Sequence, residues 1–467
     1  MKTEKFSSKW GAILAAAGSA IGLGNIWRFP YLVGEYGGFG FIFLYTLILI
    51  FICNPIMITE LSLGRTARSS IVDTFEVIGL KADMKHLWLW KIVGGWMGVI
   101  GLFLIISFYF LVAGWVIYYL FEAISGKLLI LTDAKQLTDS FTILSQNFSL
   151  QYACALVFLL ITALIIACGV KTGIEKVSIY LMPVLFLIFV TLAIQSLFMD
   201  GAKEGMTFLL KPDWKALGFT DEGFNVLRFG KVFSAALGQA FISLSLGFGM
   251  LMVYGSYVSS KENIFGMVKS IEFFDTLAAF LSAIIIIPAI FSAGIAPTSG
   301  PGLTFISLPL VFQNVAGGGF WSVMFYLLLL LATLTSVISV YEGVTNLFIQ
   351  KYNMKRITSV LVVLVISICG LTSVTLSFSG SWNIKIFNRD LFDLFDHIST
   401  AYTSSIMAIT MSLFAGFGAY RILFRNIGKS EKINSWYSKY YLFSLRYFAP
   451  IFISILLLLS IYEDFIK

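Results

Sequence analysis

Long apolar stretches separated by short polar ones run along nearly the whole chain. A helix that crosses a bilayer needs about 20 mostly apolar residues, and we count eleven such stretches. They lie near residues 10–35, 38–63, 92–122, 151–168, 177–198, 229–258, 270–292, 321–350, 357–377, 392–420 and 441–462. The pattern predicts an all-α polytopic membrane protein with eleven transmembrane helices.

Composition supports this class. Hydrophobic residues make up 58% of the chain and charged residues only 12%, which excludes a soluble globular protein. The first apolar stretch is too long for a cleaved signal peptide, and no polar domain follows it. We therefore expect residues 1–467 to form a single transmembrane domain.

Lys and Arg are concentrated in one set of alternating loops, including residues 65–85, 351–356 and 421–432. The positive-inside rule places these loops and the N-terminus in the cytoplasm, and an odd number of helices then places the C-terminus outside. We expect a multi-pass protein of the cell (inner) membrane. Because these loops account for the net charge of +7, no nucleic-acid partner is needed beside the lipid bilayer.

Two of the stretches are interrupted by residues that disfavour a continuous helix. Residues 18–30 read GSAIGLGNIWRFP, with three glycines followed by Asn25 and Arg28, and the sixth stretch has Ser243, Ser245, Gly247 and Gly249. A membrane tolerates unwound backbone only where it is buried in protein or lines a watery cavity. The first stretch also fits a packing face, since Gly18 and Gly22 form a small-xxx-small pair.

The interrupted stretches are the first and the sixth. An offset of five spans inverts topology, which predicts inverted repeats over about 10–198 and 229–420, with a helix over about 441–462 appended. Two broken helices in corresponding positions indicate a midplane binding site in a secondary transporter.

Few other side chains suggest chemistry. We interpret the intramembrane Asp275 as a cation ligand rather than a structural hydrogen-bonding group, and Glu60 as a cap for the donors of an unwound segment. Tyr109 either presents its hydroxyl to a cavity or packs. Four cysteines and two distant histidines show no metal-ligand spacing, so we expect no resident metal, no disulfide framework and no enzyme.

Six motifs together resemble a known family. They are GSAIGLGNIWRFPYL at 18–32, ELSLGR at 60–65, SLSLGFG at 243–249, GPGLTFISLP at 300–309, ATLTS at 332–336 and FDLFD at 392–396. Their identity and order resemble those of bacterial neurotransmitter:sodium symporters of the leucine-transporter fold, in the eleven-helix branch. The resemblance implies a symporter that imports a neutral, hydrophobic or aromatic amino acid with sodium ions by alternating access.

The resemblance also implies two sodium sites. The first would use the Ala20 carbonyl, Asn25, Ser243 and Asp275, which supply the oxygen ligands that a hard cation prefers. The second would use the carbonyls of Gly18 and Ile21 together with Ala332, Thr335 and Ser336.

The substrate carboxylate is implied to meet Gly24, the backbone around it and the Tyr109 hydroxyl. Monoamine members of the family have an aspartate at the position assigned to Gly24, so glycine favours an amino acid. The implied substrate pocket is apolar and suits a neutral hydrophobic side chain. Its residues are Ser19, Ala20, Ile105, Ile242, Ser243, Ser245, Phe248, Ser336 and Val340.

The resemblance covers the two gates of the family only in part. The outer gate is retained as Arg28 and Asp396. The inner arginine–aspartate pair falls on Thr3 and Gln350, so we expect a different inner gate, with Lys2 or Lys5 as its cation.

Two departures concern the binding site. Ile242 stands where many relatives have a phenylalanine that forms a lid over the substrate. The isoleucine loosens this lid or admits a larger substrate side chain. Asp275 stands where many have an asparagine, and its fixed charge predicts chloride-independent transport. The alternatives are an ion channel lined by Asp275 and the hydroxyls, or a sodium-dependent transporter of another small zwitterion.

Overall fold

The structure is a computed structural model that describes residues 4–131, 134–221, 223–292, 303–313, 315–427 and 435–465. Residues 300–302 of the GPGLTFISLP motif lie outside this set. In the described residues, nine continuous helices are long and apolar enough to cross a membrane. They are Phe39–Ala67, Leu87–Ile124, Phe148–Ala167, Val170–Ser196, Ile264–Ser292, Gly318–Lys351, Arg356–Phe378, Leu391–Ile427 and Trp436–Tyr462.

Two further spans are interrupted helices. Lys9–Ala20 and Gly24–Glu35 are bent by 53° relative to each other, and Val226–Ser243 is followed by Met250–Tyr257. We number all spans 1 to 11 in chain order, with the interrupted ones as spans 1 and 6. The described helices therefore agree with the eleven predicted stretches, although spans 3, 5, 7 and 11 begin at least five residues earlier and span 10 ends seven residues later than predicted.

Shorter elements connect the spans. They are the helices Ile71–Lys81, Ala134–Gln146, Ala202–Leu210 and Leu308–Gln313, the helical turns Lys127–Leu129 and Leu303–Ser307, and an antiparallel hairpin of Phe219–Thr220 and Gly223–Phe224. Several spans contain a π-helical turn, at Leu49–Cys53, Lys91–Trp96, Val170–Glu175, Ile398–Thr403, Phe414–Ala419 and Ser444–Phe448.

The spans differ in how much of their surface is covered by protein. In span 8, 72% of the most apolar window is buried, and in span 3 it is 67%, against 33% in span 9 and 28% in span 11. Spans 3 and 8 pack along each other, and a Cβ on Gly114 of span 3 would lie 2.6 Å from the backbone nitrogen of Ala155 in span 4. Spans 3 and 8 thus form the interior, and spans 9 and 11 expose apolar surface suited to lipid.

All four cysteines are free thiols. Cys53 is buried and Cys154 is half-buried, whereas Cys168 and Cys369 are exposed. Cys168 lies in the short turn between spans 4 and 5.

Candidate functional site

Span 1 is unwound at its centre because a side chain competes for a backbone amide. The first half ends at Ala20, and Ile21 is extended, with φ −77° and ψ 109°. The Gly22 amide donates to Asn25 Oδ1 at 3.1 Å instead of to the carbonyl four residues earlier. The final carbonyls of the first half are therefore left without helical donors. This confirms the predicted interruption. Gly18 also packs closely against span 8, because a Cβ added at Gly18 would lie 3.0 Å from Thr335 Cβ.

Span 6 is unwound between Ser243 and Met250, where Ser245, Gly247 and Gly249 have φ values of 55°, 78° and 79°. Positive φ is uncommon for residues other than glycine, so Ser245 is held by its surroundings. Its hydroxyl donates to the Ser19 carbonyl at 3.1 Å and joins the two breaks. The fully buried Glu60 accepts from the Gly247 amide at 2.9 Å, which confirms its predicted capping role.

A cavity of about 500 Å³ adjoins both breaks. Ten of the predicted substrate-site residues line it: Ala20, Gly24, Ile105, Tyr109, Ile242, Ser243, Ser245, Phe248, Ser336 and Val340. The predicted Ser19 does not line it, because its hydroxyl donates to Ser339 at 2.7 Å and its side chain is buried. Sequence reasoning missed Phe108 and Val112, although both follow Ile105 and Tyr109 at helical spacing.

One end of the cavity is polar. The Tyr109 hydroxyl contacts the Ser336 hydroxyl and the backbone of Leu23. A Cβ on Gly22 would lie 3.1 Å from both the Tyr109 and the Ser336 hydroxyl oxygens, whereas a Cβ on Gly24 would face Ile242 at 3.4 Å. The glycine beside the Tyr109 hydroxyl is therefore Gly22, which corrects the sequence-based choice of Gly24. Gly24 instead accepts a hydrogen bond through its carbonyl, from Gln239 Nε2 at 2.9 Å.

Three of the four residues predicted for the first sodium site meet in one buried cluster. Asp275 Oδ1 accepts from Asn25 Nδ2 and from Ser243 Oγ, each at 2.7 Å. Tyr45, which the sequence analysis missed, donates to Asp275 Oδ2 at 3.4 Å. The fourth, Ala20, lines the adjoining cavity. The Asp275 carboxylate and the hydroxyls of Ser243 and Tyr45 are oxygen ligands that suit a hard cation, whereas Asn25 presents its amide nitrogen to Asp275.

The residues predicted for the second sodium site lie where span 1 packs on span 8. The Thr335 hydroxyl donates to the Ala332 carbonyl at 3.1 Å, and Gly18 packs against the Thr335 side chain. Ile21 and Ser336 lie on the same two segments, at the break in span 1 and one residue beyond Thr335. All the oxygens here belong to carbonyls or hydroxyls, so this donor set is uncharged.

The two predicted outer-gate residues line the same cavity. In the described part of the chain Arg28 and Asp396 face this cavity without forming an ion pair, and Asp396 is exposed. The next residue, His397, is linked through its Nε2 to Asp464 Oδ2 at 2.7 Å, and Arg389 Nη2 lies 2.8 Å from Asp464 Oδ1. This group at the end of span 11 was not predicted, because 67 residues separate His397 from Asp464.

The structure shows no gating contact for the residues that were predicted at the inner gate and that it describes. Lys2 and Thr3 lie outside the described residues. Lys5 is exposed and, within the described part of the chain, belongs to no ion pair, so the structure shows no gating contact for it. Gln350 is the last residue but one of span 8 and forms no hydrogen bond with the described part of the N-terminal segment.

Comparison with known proteins identifies the family. The model of the sodium:neurotransmitter symporter family matches residues 3–137 and 130–465. The chain is 32% identical over 467 residues to an uncharacterized sodium-dependent transporter of Haemophilus influenzae, covering 98% of each. It is 35% identical over 418 residues to the uncharacterized sodium-dependent transporter YhdH of Bacillus subtilis, covering 88% of this chain and 87% of the relative.

A solved structure shows the same fold. MhsT in complex with L-phenylalanine has a TM-score of 0.86 and 37% sequence identity, with 98% of this chain and 99% of that chain covered. Proteins of this family are transporters and not enzymes, as expected from the sequence. The chain belongs to the sodium:neurotransmitter symporter family, and it is a sodium-dependent membrane transporter of the leucine-transporter fold.

Proposed function

We propose that this transporter imports a neutral amino acid with a hydrophobic or aromatic side chain, coupled to sodium. The observation that carries the proposal is the cavity that adjoins both helix breaks and has one polar end. Its volume of about 500 Å³ is within the usual range for small-molecule sites. The similar protein MhsT was solved in complex with L-phenylalanine, which supports a substrate of this class.

The substrate carboxylate binds at the polar end. The Tyr109 hydroxyl and the unwound backbone at Leu23 supply hydrogen-bond donors there. Gly22 leaves room for the carboxylate, because any Cβ would lie 3.1 Å from the Tyr109 hydroxyl. An acidic side chain at this position would occupy that room and repel an amino acid.

The substrate side chain lies against apolar residues. Ile105, Phe248 and Val340 come from three different spans and line the cavity together with Ile242. A charged side chain would lose its hydration against these groups without gaining a partner. Ile242 is smaller than the phenylalanine of many relatives, so the pocket accepts large aromatic side chains.

Two sodium ions bind beside the substrate. The first uses the Ala20 carbonyl, Asn25, Ser243 and Asp275, with the substrate carboxylate as a further ligand. The second uses the carbonyls of Gly18 and Ile21 and the oxygens of Ala332, Thr335 and Ser336. Two charges crossing a potential of 100 mV provide about 4.6 kcal/mol before any concentration gradient, which is enough for concentrative uptake.

Transport is expected to proceed without chloride. Asp275 supplies a fixed negative charge within the sodium cluster, so no bound anion is needed to offset the ions. We expect equal uptake in sodium chloride and in sodium gluconate. Uptake that falls to background in gluconate would contradict this prediction.

The cycle uses alternating access in the cell (inner) membrane. The cavity extends to Arg28 and Asp396, which close over the substrate with Tyr109 and Ile242 before the other end opens. The basic loops place the N-terminus in the cytoplasm and the C-terminus outside. Residues 1–467 form one domain of two inverted repeats, about 10–198 and 229–420, and the last helix, about 441–462, lies outside the repeats.

The test is binding of a panel of twenty radiolabelled amino acids to the purified protein, each in sodium and in potassium. We expect sodium-dependent, saturable binding of a hydrophobic or aromatic subset. Binding of no amino acid in sodium would contradict the proposal. Large ohmic currents in reconstituted bilayers would indicate the channel alternative instead.

A further inference from the structure

The segment that precedes span 1 is fixed to the end of the molecule where the basic loops lie. The amides and hydroxyls of Ser7 and Ser8 all donate to the buried Glu175 of span 5, at 2.7–3.0 Å. The Phe6 amide donates to the Tyr257 carbonyl at the end of span 6, at 3.2 Å. These bonds close the end of the transporter opposite to the outer gate.

Glu4 extends this attachment to two further elements. Its Oε1 accepts from Arg356 Nε at 2.7 Å, at the beginning of span 9. Its Oε2 accepts from the Val170 amide at 2.7 Å, at the beginning of span 5. One carboxylate therefore connects the N-terminal segment to both spans.

Arg356 has a second carboxylate partner that does not depend on the N-terminal segment. Its Nη1 and Nη2 donate to Glu342 Oε2 and Oε1 of span 8, at 2.8 and 3.0 Å. The Tyr257 hydroxyl also donates to Glu342, at 2.5 Å. A two-pronged guanidinium–carboxylate pair of this kind is among the strongest and most directional ionic contacts.

The two carboxylates differ in exposure. The Glu342 side chain is fully buried, whereas the Glu4 side chain is 41% exposed. Glu342 and Arg356 balance each other's charge, so Glu4 can leave without stranding a buried charge. An exposed ion pair changes an equilibrium by about fivefold or less, which suits a contact that must break in every transport cycle.

We propose that Glu4 is the detachable half of the inner gate and that Arg356, held by Glu342, is its fixed half. The inference rests on the proposed alternating access, since a gate has a role only there. It reverses the expected polarity, because the acid lies on the N-terminal segment and the cation on span 9. Opening of the inner end requires the bonds from Glu4 to Arg356 and Val170 to break.

The experiment measures how often the inner end opens. Ala15 is buried and lies on the face of span 1 that carries Gly11, which faces Glu175, and Gly18, which faces Met182. Ala15→Cys is introduced after the accessible cysteines have been replaced by serine, at positions Cys154, Cys168 and Cys369. The rate of maleimide labelling is then measured on the full chain in potassium and in sodium.

We expect Glu4→Gln to raise the labelling rate in potassium about two- to fivefold, and Glu4→Lys to raise it more because it repels Arg356. The matched control is Lys5→Gln, which removes one exposed charge from the neighbouring residue and leaves the rate unchanged. Labelling of both Glu4 variants at the Lys5→Gln rate would overturn the proposal.

A second variant separates the two halves of the gate. Arg356→Gln leaves Glu342 buried without its cation, so we expect less folded protein, whereas Glu4→Gln preserves the yield. Equal yields of both variants would contradict the assignment of Arg356 as the fixed half. Because labelling needs no substrate, failure of all twenty amino acids to bind would refute the proposed substrate class and leave the gate result standing.

Discussion

Gly22 lies at a crowded point of the substrate site. Its α-carbon faces the Tyr109 and Ser336 hydroxyls, which come from spans 3 and 8. Three segments thus meet at one point, and a single methyl group there would displace a ligand or a hydroxyl.

We predict that Gly22→Ala weakens amino-acid binding. The added Cβ would lie 3.1 Å from two hydroxyl oxygens, and overpacking of this kind costs about 1–3 kcal/mol, or about 5- to 150-fold in Kd. Gly24→Ala is the matched control, because its Cβ would meet Ile242 at an ordinary 3.4 Å. Equilibrium binding of the radiolabelled substrate checks both variants, and equal losses would contradict the assignment of Gly22.

At the scale of single residues, the sequence predicts which residues belong to the site better than it predicts where their side chains point. Ten of the predicted residues line the cavity, since the family motifs that the sequence resembles identify positions along the chain. The Ser19 hydroxyl instead bonds to Ser339, and Gly22 rather than Gly24 lies beside the Tyr109 hydroxyl. A motif gives no side-chain direction in the unwound part of span 1.

At the scale of elements, the break in span 6 depends on a side chain from span 2. Glu60 accepts from Gly247 and satisfies an amide that the broken helix leaves exposed. Glycines and serines in the sequence predicted the break and an acid predicted the cap. The residues at which the helix stops and resumes, Ser243 and Met250, depend on packing and were not predictable.

We predict that Glu60→Ala lowers the thermal stability of the purified protein. A buried amide without an acceptor costs about 1–3 kcal/mol. Glu60→Gln keeps an acceptor oxygen and has a smaller effect. The control is Ser62→Ala in the same helix, because the buried Ser62 hydroxyl has no hydrogen-bond partner among the described residues.

The thermal stability of the three variants is measured as the loss of monodisperse protein after heating, followed by size-exclusion chromatography. A Glu60→Ala variant as stable as Ser62→Ala would contradict the capping role.

At the scale of the whole molecule, the chain is closed by contacts between residues far apart in sequence. Glu4 and Arg356 are 352 positions apart, and Asp464 joins Arg389, His397 and Tyr402 beside the outer gate. The number of spans followed from hydropathy. These contacts did not, because neither spacing nor periodicity relates residues on different spans.

The contact at Asp464 predicts a pH dependence. Burial alone would raise the pKa of Asp464, but hydrogen bonds from Tyr402, His397 and Arg389 outweigh it and lower this pKa below its usual value. A lowered pKa in the folded state stabilises the protein above the ordinary value of about 3.9. That stabilisation disappears as the pH falls through the folded-state pKa.

We therefore expect Asp464→Asn to lower the melting temperature at pH 5, and the difference from the parent protein to shrink towards pH 3. Asp390→Asn is the control, since Asp390 caps the first helical turn of span 10 and asparagine caps almost as well. A deficit of Asp464→Asn that persists undiminished at pH 3 would show that it does not arise from the carboxylate charge.

The exposed thiol of Cys168 lies two residues before Val170, whose amide binds Glu4. Once Cys154 and Cys369 are replaced by serine, the chain has a natural attachment point for a fluorophore beside the proposed latch. A dye placed there would change its emission each time the N-terminal segment departs. Single transporters could then be watched in real time, with their own sequence supplying the reporter position.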